Sequence, residues 1–173
     1  MNELIAELER LGFYGYTPPE QIDAAKTDAV RTGHLFAGST NRDFMADAED
    51  LAEGGVLECL EQCRPFLDRQ GLHIESAREE IGEDDGYSVW INDERFWMYT
   101  EEELGPDCWV LTTNRMLTML NTLLEAAGSK ERAFTLEGGN DQQLVFLTKA
   151  QYEAIRRSPA IPERNKPEAP PVG

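Results

Sequence analysis

The sequence predicts an α+β fold: N-terminal helices followed by β-β-β-α-β-β-α, with a mostly antiparallel five-stranded sheet covered by helices on one face. Three observations predict it. Apolar residues recur at three- to four-residue spacing before residue 70, the period changes to two from Leu72, and helical spacing returns at "LTTNRMLTMLNTLLEAAG" before a second alternating pair. Helices and strands that occur in separate runs give an α+β arrangement. The chain of 173 residues fits one domain over 1–157. Within it, 1–38 forms a peripheral helical part and 39–157 the sheet with its covering helices, and a proline-rich tail follows at 158–173.

Taken in order, Leu4, Ile5, Leu8 and Leu11 share a helix face that Gly12 ends. "TPPE" offers Thr17 as an N-cap, Pro18 at the first helical position and Glu20 three residues on, starting a second helix that runs to Thr32 and stops at Gly33. Its apolar face is thin, so it packs at the periphery. Ser39 or Thr40 caps a broken helix over 41–69, weakened at Gly54–Gly55, disturbed at Pro65 and closed by Gly71. "LHIESAREEIG", "YSVWIN" and "RFWMYT" read as a three-stranded meander with a turn at Asn92–Asp93. Met116, Leu117, Leu120, Leu123, Leu124 and Ala127 form the stripe of the helix that covers the sheet. "RAFTLEGGNDQQLVFLT" is a second hairpin turning at "GGND", and Thr148 caps a last helix with Tyr152 and Ile155. After Ser158, five prolines and almost no packing residues describe an extended or disordered tail.

Composition narrows the function classes. The chain is 40% apolar and 28% charged, as expected of a soluble protein. No apolar run approaches the roughly 20 residues that cross a bilayer. The start, "MNELIAELERLG", carries acids where a secretory leader has a basic flank, so the cytoplasm is the expected location. Three cysteines make no disulfide framework. Net charge is −17 and unevenly spread: residues 71–110 hold 12 acids and 2 bases. That field disfavours direct nucleic-acid binding and anionic membranes and favours a basic protein partner, although acidity can also serve solubility alone.

The aromatic stretch "GYSVWINDERFWMYTEEELG" lies inside this acidic segment. With a loop of two or four residues, Tyr87, Val89, Ile91, Phe96 and Met98 face a core, and Ser88, Trp90, Arg95, Trp97 and Tyr99 face the other way. Arg95 can lie over Trp90 as a cation–π pair. This second face is either covered by the N-terminal helices as a small second core or left exposed as a protein-binding patch. In the exposed reading, the anchors are Trp90, Arg95, Trp97 and Tyr99. The rim includes Glu79 and Glu80, then Glu83, Asp84, Asp85, Asp93, Glu94, Glu101, Glu102 and Glu103. An aromatic centre within a charged rim is how protein-binding hot spots are built.

Cys59 and Cys63 share a helix face, yet a zinc site needs four ligands and no Cys-x-x-Cys or His-x-x-x-His occurs, so core cysteines are expected and no metal. "GEDDG" at 82–86 lacks the alternating oxygens of a calcium loop and reads as a solvated turn. The glycine pairs lack the setting and the lysine of a phosphate loop. Neither histidine sits in a nucleophile context, and no carboxylate pair stands out among 33 acids. No catalytic residue and no cofactor are expected.

A small, acidic, α+β chain without a catalytic signature resembles the bacterial immunity proteins. The resemblance covers residues 40–157 at the level of organisation, and "EGGND" followed by "FLT" is similar to stretches in uncharacterised bacterial proteins of this kind. It implies a cytoplasmic antidote that binds a cognate toxin, often a basic nuclease, and occludes its active site. No family binding residue is carried over. Two other classes stand beside it: a DNA mimic that inhibits a restriction or defence nuclease, and an adaptor domain or unrecognised enzyme. A mimic needs carboxylates spaced like phosphates, whereas here aromatics interrupt the acids.

Overall fold

The computed structural model describes residues 1–36, 38–82, 86–136 and 140–171. Helix and strand are mixed as the α+β reading requires, but the single five-stranded sheet is corrected: the described strands number six, in two three-stranded antiparallel sheets. Helix α1 (Asn2–Arg10) buries Leu4, Ile5 and Leu8. A 3-10 turn at Phe13–Tyr16 follows Gly12, whose φ of 74° is left-handed. Thr17 does not cap the next helix. Pro18 stands before Pro19, and a residue preceding proline is pushed out of the helical region, so Pro18 is extended (φ −54°, ψ 133°). The chain enters α2 (Ile22–Thr32) through a 3-10 turn at Pro19–Gln21, and Gly33 ends it in the left-handed region.

The broken helix expected over 41–69 begins instead as a strand, β1 (Asp43–Asp47). Phe44 and Ala46 pack inward while Met45 points to solvent, which is the alternation of a strand. Asp47 ends β1 and caps the following turn, α3 (Ala48–Asp50), by accepting from the N–H groups of Glu49 and Asp50. A wide π-type turn at Leu51–Gly55 contains Gly54 at φ 106°, and α4 (Val56–Arg69) runs on through Pro65. Pro65 is exposed, so water can take the carbonyl it leaves unbonded.

The meander forms as expected: β2 (Ala77–Gly82), β3 (Gly86–Ile91) and β4 (Glu94–Tyr99), in the order β2-β3-β4. Asn92 and Asp93 both have positive φ, 49° and 69°, the geometry of a two-residue hairpin turn matched to strand twist. Helix α5 (Cys108–Ala126) packs along β4 and adds Met116, Leu117, Leu120 and Leu124 to the core that holds Val89, Ile91 and Met98. The second sheet has the order β1-β6-β5, with β5 (Glu131–Leu136) and β6 (Asp141–Thr148) as the expected hairpin. Gly138 and Gly139 of its "GGND" connection lie outside the described residues. Thr148 caps α6 (Lys149–Arg157) in a reciprocal pair with Gln151.

The β1-β6-β5 sheet is buried on both faces. Leu144 and Phe146 join the core shared with the meander, α4 and α5, while Val145 and Leu147 face a second core with α1, α2 and α6. Arg42 bolts the N-terminal turn to this sheet. It is 1% exposed and donates to Glu131 Oε2 (2.9 Å), the Phe146 carbonyl (3.0 Å) and the Phe13 carbonyl (2.6 Å). The C-terminal stretch also packs, contrary to a tail nearly devoid of packing residues. Ile161 enters the second core, and Glu168 exchanges two backbone hydrogen bonds with Thr135 on the β5 edge. Among the described residues, no helix is long and apolar enough to cross a membrane.

Candidate functional site: the outer face of the meander

Strand register sorts the meander's outward residues into two cross-strand rows. Arg78 pairs with Trp90 and Trp90 with Arg95; Glu80 pairs with Ser88 and Ser88 with Trp97. The Arg95 guanidinium lies 3.8 Å from the Trp97 ring centroid and 5.5 Å from that of Trp90, and Arg78 covers Trp90 at 4.3 Å. Each such contact at an exposed site is worth about 0.5–1 kcal/mol, so the four side chains hold one another flat without a covering helix. Glu80 ties the rows together. Its carboxylate accepts from Trp90 Nε1 (3.0 Å), pairs with Arg78, and lies 3.7 Å from Arg95 Nη2. Ser88 is buried beneath them, and its Oγ accepts from Arg95 Nε (3.1 Å).

The N-terminal helices do not cover this face. They pack on the other sheet, neither core includes Trp90 or Trp97, and Trp97 remains 39% exposed. The inward face matches expectation: Tyr87, Val89, Ile91 and Met98 are all buried, and Phe96 packs against the same core.

Tyr99 is the clear correction among the anchors. The register shifts between Tyr87 and Ser88, which pair with Tyr99 and Trp97, so Met98 is an extra residue on β4. A bulge sends the following side chain to the opposite face. Tyr99 therefore enters the core, 7% exposed, where it packs edge-on to Tyr87 and donates to the Ala52 carbonyl (3.2 Å). Gly86 makes room for this arrangement: a Cβ there would clash with the Tyr99 carbonyl oxygen.

The acidic rim is only partly where the alternation put it. Glu79 turns inward, accepting from the Tyr87 hydroxyl and from Leu57 N–H (2.9 Å) at the start of α4. Burial first, and then the Glu79 contact, push the Tyr87 hydroxyl pKa well above its ordinary value. Asp93 and Glu94 are exposed at the hairpin turn, and Glu101 and Glu102 are exposed in a 3-10 turn after β4. Glu103, in the same turn, is committed to Arg115 through two contacts of 2.7 Å, and that guanidinium is the main cause of a carboxyl pKa brought down to about 2. Glu83, Asp84 and Asp85 lie outside the described residues. Arg78 was missed because its place beside Trp90 depends on the β2–β3 register, which the loop sequence leaves open.

The group beside Ser88 Oγ is a guanidinium, which cannot take a proton. His73 lies 3.4 Å from Asp68, and His34 Nδ1 lies 3.2 Å from the Asn165 amide. Cys59 and Cys63 are buried, and the neighbouring Cys59 thiol together with burial drives the Cys63 thiol pKa well up. Among the described residues, no three His, Cys, Asp or Glu side chains gather to hold a metal ion. No protein-family model, curated protein or solved structure matches the chain.

Proposed function

We propose that this chain is a cytoplasmic protein-binding domain of the immunity kind, which neutralises a basic toxin or effector by covering its active site. The reading rests on one observation above all: an uncovered sheet face carrying Trp90 and Trp97, braced by Arg78 and Arg95, in a chain of net charge −17. Charge of one sign raises the association rate toward a partner of the other, and aromatic anchors slow release. The same face tells against a DNA mimic, because two arginines stand where phosphate-like carboxylates would be needed.

The test is co-expression with the product of the neighbouring gene, scored for toxicity without this chain, with the affinity of the purified pair measured in parallel. Wild type should protect the cell. Trp97→Ala should weaken binding by about 2 kcal/mol or more, roughly thirtyfold, while melting stays near wild type because the side chain leaves no core cavity. Unchanged affinity in a Trp90→Ala/Trp97→Ala double variant would remove this face from recognition.

A further inference from the structure

A second apolar surface lies where the turn after β4 enters α5. Leu104, Trp109 and Val110 are 60%, 42% and 61% exposed. Val110 and Asn114 are shared by two adjoining clefts. The first, of about 280 Å³, has apolar walls in Ala48, Trp109 and Val110, and amide and carboxylate groups from Asn140, Gln142 and Glu168. The second, of about 420 Å³, is lined on its acidic side by Glu103 and Asp107.

Among the described residues lining the two clefts, none is basic. Glu103 is held by Arg115, but Asp107, Glu168, Glu101 and Glu102 are exposed carboxylates on or beside the same surface. The Gln142 amide oxygen and the Glu168 carboxylate beside an indole match the needs of a guanidinium, which has five N–H donors and a flat face that stacks on aromatic rings; the Asn140 oxygen already accepts from Glu49 N–H.

We propose that this surface is a second docking site, for a basic and partly apolar segment of a protein partner. An arginine of that segment enters the smaller cleft, against Trp109 and near Glu168, and an apolar neighbour rests on Leu104 and Val110. The inference builds on the protein-binding reading above and adds the chemistry of the partner. A wholly apolar segment would strand Asp107 and Glu168 without partners. A second copy of this chain would set like carboxylates face to face.

The probe is a capped peptide alternating arginine and leucine, with a glutamate–leucine peptide as control, followed through the three indole N–H resonances by NMR. Substitution of each tryptophan by phenylalanine assigns the signals. The arginine peptide should move the Trp109 signal to saturation, and the glutamate peptide should not. Trp109→Ala, and separately the Asp107→Asn/Glu168→Gln pair, should weaken arginine-peptide binding at least tenfold with melting near wild type, since all three side chains are exposed and asparagine still suits the N-cap of α5. Equal binding of both peptides, no movement of Trp109, or undiminished affinity in these variants would overturn the inference. So would a dimer that Trp109→Ala disperses, which would put a second copy on this face. Shifts confined to Trp90 and Trp97 would also overturn it, yet leave the outer face of the meander standing as the binding site. Loss of toxin protection in Trp97→Ala judges that face independently.

Discussion

Replacing Arg42 by methionine keeps most of the side chain's volume and removes its charge and its donors. What remains is a Glu131 carboxylate that is 4% exposed and has lost its cation, together with Phe13 and Phe146 carbonyls that have each lost a donor. Breaking a buried ion pair by removing one partner costs about 3–5 kcal/mol, and an orphaned buried acceptor about 1–3 kcal/mol. These terms overlap, because the freed groups relax together, so about 4 kcal/mol is expected for the single change. For a domain of this length each kcal/mol moves Tm by about 2–4 °C, which gives a drop of roughly 8–16 °C. Thermal and urea unfolding followed by circular dichroism measure it. An Arg42→Met/Glu131→Leu double variant removes the stranded charge as well and should recover at least half of the loss. A single variant within about 1 kcal/mol of wild type would refute the reasoning. So would a double variant whose loss equals the sum of the singles, since that would mean the two residues are not coupled.

Gly86→Ala should destabilise by about 2 kcal/mol or more, because φ is 82° and the new methyl would meet backbone atoms of Tyr99 and Thr100; a wild-type melt would contradict this. Glu103, with a folded-state pKa near 2 against about 4.3 for an unperturbed side chain, adds stability that is complete above the unfolded value and lost as pH falls through the folded one. Glu103→Gln should therefore flatten the dependence of Tm on pH between about 4.5 and 2, and an unaltered slope counts against the Arg115 contact. Association with a basic partner should slow markedly as salt rises, with dissociation much less affected, because exposed charges are screened beyond about 8–10 Å; stopped-flow rates insensitive to salt would remove the steering argument.

The parts of the fold legible in the sequence are those fixed by near neighbours. Asn92–Asp93 marks its own turn, and the alternation on either side sets which face is apolar, so Trp90, Arg95 and Trp97 were placed correctly. Tyr99 was not, because the bulge at Met98 breaks the alternation without a local mark; the register depends on the close approach of Gly86 to the Tyr99 backbone. "DFMAD" fits a helix or a strand equally well over five residues, and its strand partner lies about a hundred residues away in β6. The unbroken apolar run Leu144–Leu147 was the available sign of a sheet buried on both faces, and hence of two sheets. Prolines in the last segment hid Ile161, whose burial depends on the second core, built from segments distant in sequence, rather than on its neighbours.

The order β1-β6-β5 puts the last-made strand in the middle of its sheet. During synthesis β1 has no edge to pair with until β6 has left the ribosome, and the apolar stripe of α1 waits for Ile155 and Ile161. Glu7 meets Arg157 across 150 residues of chain. The meander needs no such delay, because its three strands are consecutive and α5 follows at once, and local contacts of this kind close first. The face that carries Trp90 and Trp97 thus takes shape while the two ends of the chain are still apart. A nascent chain stalled before β6 would present a folded meander with the N-terminal helices unseated, an apolar surface for chaperones to hold until the final strand arrives.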